Sequence, residues 1–230
     1  MKVGYCTVAG RPNVGKSTLV NSLIGTKVSI VSQKPGTTRM RILGIKTIKD
    51  IAQIVFLDTP GIAKASDALS QAMLQSAKAS LEEADVVMFV IDASEGWQLA
   101  DELIFSRYIK PLKKPVLMVL NKIDLLGKVD RTLPIVEEIS KKVGDSYEFI
   151  PVSASKGFNL DKLTDLIIKH LKEGQMLFEP DMATDLPLRI ISAEIIREKV
   201  LQKVYQEVPQ GVAVIVENIS QGKLDKEMLV

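Results

Sequence analysis

The sequence predicts an α/β fold built around a mostly parallel sheet, and three observations carry that prediction. Short β-branched runs alternate with helical periodicity along residues 1–174. The runs IVFL, VVMFVI and VLMVL lack apolar–polar alternation, as expected of strands covered on both faces. The glycine-rich stretch GRPNVGKS follows the first apolar run and opens the first helical pattern.

In chain order, the runs predict strands at 3–9, 40–48, 52–58, 86–92, 115–121 and 148–152. Helical periodicity falls at 16–24, 67–82, 99–110, 132–142 and 160–172. The second and third strands are joined by KTIKDI, short enough for an antiparallel hairpin at a sheet edge. The rhythm stops near Gly174, and the Pro- and Asp-rich FEPDMATDLP reads as a linker over 175–188. A helix at 189–206 follows, with Ile196, Val200 and Val204 on its apolar stripe and Glu198, Lys199, Gln202 and Lys203 off it. VAVIVENI at 212–219 reads as a further strand.

Composition narrows the function classes. A chain of 230 residues, 46% hydrophobic and 25% charged, is ordinary for a soluble globular protein. Its net charge of +2 does not mark a nucleic-acid binder. The division is uneven: residues 1–174 carry 24 basic against 19 acidic groups, net +5, and residues 175–230 carry 6 against 9, net −3. The one cysteine, Cys6, lies in an apolar run, so a disulfide framework is excluded and a cytoplasmic location is expected. The single histidine, His170, has no metal-ligand spacing around it. Met1 leads directly into a strand pattern without a signal-type apolar segment, and VVMFVI is far too short to span a membrane.

GRPNVGKS fits G-x-x-x-x-G-K-[ST], the phosphate-binding loop. Gly10 and Gly15 permit the turn and the close backbone approach, with Arg11, Pro12, Asn13 and Val14 between them and Thr18 just after. Backbone N–H groups converge on phosphates there, and the helix N-terminus adds positive potential. Lys16 is expected on the β/γ-phosphates and the Ser17 hydroxyl on Mg²⁺. Strand IVFL ends in DTPG, which sets Asp58 to grip the magnesium shell and the Gly61 N–H to face a γ-phosphate. Strand VLMVL ends in NKID. A carboxylate at Asp124 accepts two parallel hydrogen bonds from guanine N1–H and the 2-amino group, an edge adenine lacks, so GTP and GDP are expected. Asn121 braces that loop and the Lys122 stem covers the base. After EFIPV come Ser153, Ala154 and Ser155, where the Ala154 N–H is expected to meet guanine O6. All these motifs fall where strands end, the side on which open α/β sheets bind ligands.

With GRPNVGKSTLVNSLIG, SQKPGTTRMRILGI, FLDTPGI, DASEGW and NKID in this order, the chain resembles the Era family of bacterial GTPases over residues 1 to about 220. The resemblance implies a P-loop GTPase domain over 1–174 with a six-stranded, mostly parallel sheet. It implies an incomplete α+β K-homology domain over 189–230. Its implied role is a GTP-driven switch that binds 16S ribosomal RNA near the 3′ end during maturation of the 30S subunit. A monomer in the bacterial cytoplasm is implied, with peripheral association at the inner face of the membrane. Thr38 matches the switch threonine that coordinates Mg²⁺ alongside Ser17 and Asp58, with Thr37 the competing candidate. Asn13 matches an asparagine that holds K⁺ in related GTPases. Lys16, Thr38, Gly61 and Asn13 are the expected catalytic set. Ile62 stands where many GTPases carry a water-orienting glutamine, and its side chain cannot hydrogen-bond water, so slow unaided hydrolysis is expected. Arg11 reads as a solvated loop residue in preference to a catalytic charge. The family's RNA-clamping G-x-x-G does not occur after residue 174, and the acidic balance there disfavours phosphate contact. Lys34, Arg39, Arg41 and Lys46 form a basic group that reads either as partner-facing or as solvated edge charge.

Overall fold

The computed structural model describes residues 1–31, 37–38, 41–62, 68–127, 131–203, 212–221 and 228–229. β1 (Lys2–Ala9) lies at the centre of the main sheet, hydrogen-bonded in parallel to β3 (Ala52–Asp58) on one side and β4 (Val86–Asp92) on the other. β5 (Val116–Asn121) and β6 (Glu148–Pro151) extend the sheet in parallel. β2 (Ile42–Ile48) pairs antiparallel with β3 at the other edge, which gives the order β2-β3-β1-β4-β5-β6. The hairpin turns at Asp50, whose φ of 58° is left-handed, and closes with Ile51 N–H donating to the Ile48 carbonyl. β3, β4 and β5 are buried at every position, in line with their unbroken apolar runs.

Helices cover both faces. α1 (Lys16–Ile24) and α5 (Leu160–His170) supply Leu19, Val20, Leu23, Leu163 and Ile167 to one core layer. α2 (Ala68–Glu83), α3 (Leu99–Ile104) and α4 (Thr132–Val143) supply Ala77, Leu81, Ile104 and Ile139 to the other. Each layer buries a face of the parallel strands, the arrangement that hydrophobic burial favours for such a sheet.

Four sequence expectations need correction. The fifth helix stops at His170; Leu171 turns extended and enters the core, and Lys172–Glu173 form β7 antiparallel to β1, which makes the sheet seven-stranded. The helix expected through residue 110 changes at Phe105 to a π-helical turn over Phe105–Ile109, closed by Lys110 N–H to the Phe105 carbonyl. Phe105 there packs edge-on with Trp97 and Tyr147 and tilted against Phe89. Residues 212–219 form no strand; the paired residues nearby are β8 (Ser220–Gln221) and β9 (Met228–Leu229), and Ile215 is 83% exposed. Their β-branched composition favours extension, but a strand needs a ladder partner to exist.

The fourth correction concerns α6 (Leu188–Lys203). The face it turns inward carries Ala193, Arg197, Glu198 and Leu201, while Ile196 of the expected stripe is exposed, as is Ile195; Val204 and the end of the expected helix lie outside the described residues. Charged groups are buried only where partners await them, and these two have them. The Glu198 carboxylate accepts from the Val31 N–H at 3.1 Å and pairs with Lys27. Arg197 Nη2 donates to the Thr37 carbonyl at 2.7 Å, and its Nε to Glu194 at 2.9 Å. The segment before α6 is also docked. Buried Gln53 of β3 accepts from the Leu177 and Phe178 N–H groups and donates to the Phe178 carbonyl, and the Ile45 N–H donates to the Ala183 carbonyl. Among the described residues no helix is long and apolar enough to cross a membrane.

Candidate nucleotide site

The parallel strands deliver their C-terminal ends to one edge of the sheet. Val8 is in register with Asp58, and Asp92 with Asn121, so the loops after β1, β3, β4 and β5 meet there. GRPNVGKS connects β1 to α1. Gly10 has φ 147° and Gly15 φ 93°, backbone states that L side chains rarely adopt. A Cβ on Gly15 would stand 2.4 Å from Asn121 Nδ2, so the loop and NKID are packed too closely for any side chain. Val14 is buried in the core and anchors the loop, while Asn13 is exposed at φ 66°. Gly61 lies against the same loop: a Cβ there would stand 2.9 Å from the Pro12 nitrogen and 3.1 Å from Lys16 Nζ.

Lys16 is 7% exposed and donates to the Arg11 carbonyl at 2.8 Å. Burial pulls its pKa down to about 8, against the Asp58 charge, which raises it. Asp58 is fully buried, and neither carboxylate oxygen has a hydrogen-bond partner. Burial raises its pKa, with nearby Ser17, Ser29 and Lys16 opposing. Ser17 Oγ stands 3.0 Å from Thr38 Oγ1, and Thr38 is buried. Two hydroxyls in contact beside an unpartnered buried carboxylate are the hard oxygen donors that Mg²⁺ takes, so the residues present fit that ion. Thr37, the competing candidate, offers its carbonyl to Arg197.

The NKID loop and the Ser153–Ser155 turn are interlocked. Asn121 is buried, donates to the Val14 carbonyl at 2.9 Å and accepts from the Ala154 N–H at 3.0 Å. In this arrangement the Ala154 N–H expected on guanine O6 donates to Asn121, as the Lys16 ammonium expected on the phosphates donates to Arg11. Asp124 is exposed, and its two oxygens accept from Ser153 Oγ at 2.5 Å and Ser155 Oγ at 3.4 Å. The two serines therefore aim the carboxylate. Lys122, at φ 64°, spans from NKID to the phosphate loop and donates to the Asn13 carbonyl at 2.7 Å.

Arg11 is neither solvated nor free to reach a phosphate. Its Nε pairs with buried Asp101 at 3.1 Å and its Nη2 with Glu95 at 2.6 Å. Those carboxylates outweigh the burial that would lower its pKa and raise it instead. Ile62 turns into the core layer that also holds Ala9 and Phe89, with its N–H on the Gly10 carbonyl at 3.2 Å. Of the basic group near the first switch segment, Lys34 and Arg39 lie outside the described residues. Arg41 is held by Glu83, and Lys46 donates to the Leu23 carbonyl, so these two serve the fold. The sequence reading missed Asp92, which touches Lys122, and the Arg197–Glu198 pair. The signal for Asp92 was present: it ends a core strand as Asp58 and Asn121 end theirs.

Residues 5–122 match the protein family described as 50S ribosome-binding GTPase. GTPase Era of Aquifex aeolicus (strain VF5) is 55% identical over 232 residues, covering 100% of this chain and 77% of that protein. GTPase Era of Clostridium perfringens is 46% identical over 222 residues, covering 96% and 73%. A solved Aquifex aeolicus Era variant bound to GDP and AlF4⁻ superposes with a TM-score of 0.94 at 55% identity, over 97% of this chain and 75% of that one. Era solved in complex with MgGDPNP and nucleotides 1506–1542 of 16S ribosomal RNA gives the same TM-score and identity, over 97% and 74%.

Proposed function

Since the chain belongs to the Era family of GTPases, we propose that its GTP cycle gates binding to 16S ribosomal RNA near the 3′ end during assembly of the 30S subunit. The observation that carries this reading is the match, at 55% identity over 97% of this chain and 74% of that one, to an Era solved with that segment of RNA. In the same reading the protein is a cytoplasmic monomer, with peripheral contact to the inner membrane face. Residues 1–174 do the chemistry, and 175–188 link them to the incomplete K-homology domain over 189–230.

The chemistry follows from the site. The backbone of Gly10, Arg11, Pro12, Asn13, Val14 and Gly15, with Ser17 and Thr18 at the start of α1, cradles the α- and β-phosphates of GTP. Lys16 leaves the Arg11 carbonyl for the β/γ-phosphates, and the Gly61 N–H faces the γ-phosphate. Ser17 and Thr38 would hold Mg²⁺, with Asp58 gripping its hydration shell; the ion supplies positive charge against the phosphates when bound. Asp124 reads the guanine edge, while Ser153 and Ser155 aim it and Asn121, with Ala154, braces the loops. Ile62 is buried, so no side chain at that place orients the attacking water, and unaided turnover is slow. Asn13 is assigned a K⁺ whose charge replaces that of an arginine finger, a role Arg11 cannot fill while held by Asp101 and Glu95. Hydrolysis is therefore expected to be faster in KCl than in NaCl at matched ionic strength; equal rates would remove K⁺ from the mechanism.

Filter binding of this chain, loaded with a non-hydrolysable GTP analogue, to RNA of the sequence 1506–1542 tests the ribosomal role. Nanomolar, sequence-dependent binding supports it. A second reading, a GTPase module without RNA binding, is favoured by the net charge of −3 over 175–230. Under that reading no specific binding appears, while GTP hydrolysis persists.

A further inference from the structure

Asp92 closes β4 in register with Asn121, and the Ala93 N–H donates to the Asn121 carbonyl at 2.8 Å. The carboxylate is 1% exposed and doubly anchored. Its Oδ1 accepts from the Ser94 N–H at 2.9 Å and the Ser94 hydroxyl at 2.6 Å. Its Oδ2 stands 2.6 Å from Lys122 Nζ. The same ammonium donates to the Asn13 carbonyl in the phosphate loop at 2.7 Å. The lysine is thus strung between a fixed carboxylate and the loop, and its stem runs over the gap between NKID and GRPNVGKS.

We propose that Asp92 is a positioning residue for the guanine base. It pins Lys122 so that the stem forms a preformed wall of the base slot and the ammonium ties the base-reading turn to the phosphate loop. This rests on the assignment of NKID to guanine. A lysine left free loses rotamer freedom each time it closes over a base, whereas one already fixed does not, and the saving appears mainly as slower release. The electrostatics agree with the geometry. Burial alone would raise the Asp92 carboxyl, but the Lys122 ammonium and the Ser94 bonds outweigh it and hold it below its ordinary value.

Asp92→Asn keeps an oxygen for Ser94 while removing the charge that holds Lys122, so it separates positioning from support of the turn. The test is the dissociation rate of a fluorescent GDP from the wild type, Asp92→Asn, Lys122→Met and the double variant. Asp92→Asn is expected to release GDP about tenfold faster. In the Lys122→Met background the same change is expected to add less than about twofold, because its effect acts through that lysine. Ser94→Ala, which loosens Asp92 without touching Lys122, is expected to show a smaller acceleration in the same direction. It serves as the working variant if Asp92→Asn does not fold. Unchanged release in Asp92→Asn, or in Ser94→Ala where that is the working variant, overturns the proposal. So do effects that multiply in the double variant. Nucleotide preference in Asp124→Asn is measured alongside: a shift away from guanosine with a multiplicative Asp92–Lys122 cycle would sink the Asp92 role alone. Failure of that shift would sink the guanine assignment instead.

Discussion

Lys16 and Asp58 are two buried charges poised for a ligand that carries the opposite charges. Lys16, at a pKa of about 8, binds fewer protons in the folded nucleotide-free protein than in the unfolded chain between about pH 8 and its ordinary value near 10.5. Stability of the nucleotide-free form should therefore gain from this group as pH rises through that window. A polyphosphate beside Lys16 reverses the effect by favouring the ammonium, so GDP binding at pH 8 should take up a fraction of a proton. Calorimetry in two buffers of different ionisation enthalpy measures that uptake, and none at pH 8 would contradict the account of Lys16. At this scale the sequence was informative wherever spacing alone sets a position, as for Lys16, Ser17 and Asp58, which lie next to one another at the strand ends. It was silent wherever a role depends on which neighbour arrives. Nothing in GRPNVGKS foretells that Asp101 and Glu95, some ninety residues on, hold Arg11 away from the phosphates.

Among the elements, the both-face-buried strands were readable because burial on two sides leaves no polar period to confuse. β3 and β4 match their expected spans residue for residue. α6 was not, because its inward face is chosen by two charges with specific partners and not by its apolar stripe. Glu198 is 2% exposed and accepts the Val31 N–H, while Lys27, its other partner, is half-exposed and adds little. Glu198→Ala leaves that N–H without its acceptor and is expected to cost about 1–3 kcal/mol of stability. Chemical denaturation compared with the exposed control Lys199→Ala measures it; equal midpoints would mean that α6 is held by Ala193 and Leu201 instead. The π-turn at Phe105 and the two-residue β7 were likewise invisible, since both answer to contacts distant in sequence.

Across the whole molecule, five loops from separate strands converge on one edge, and each brings a group whose meaning depends on the others. Asn121 joins the phosphate loop to the Ser153–Ser155 turn, Lys122 joins it to Asp92, and Arg197 and Glu198 join α6 to Val31 and Thr37, next to Thr38. The order of motifs was legible because a parallel sheet sets loops in strand order. The bonds between loops were not, since they arise only once the sheet is closed. In the proposed function, nucleotide choice hangs on Asp124. An amide there would donate to the 2-carbonyl of xanthine where the carboxylate accepts from the 2-amino group of guanine. Competition of GTP and XTP for the wild type and Asp124→Asn is therefore the most direct measurement. The account predicts that the wild type prefers GTP and that the variant loses it and gains XTP; an unchanged preference for GTP would contradict it.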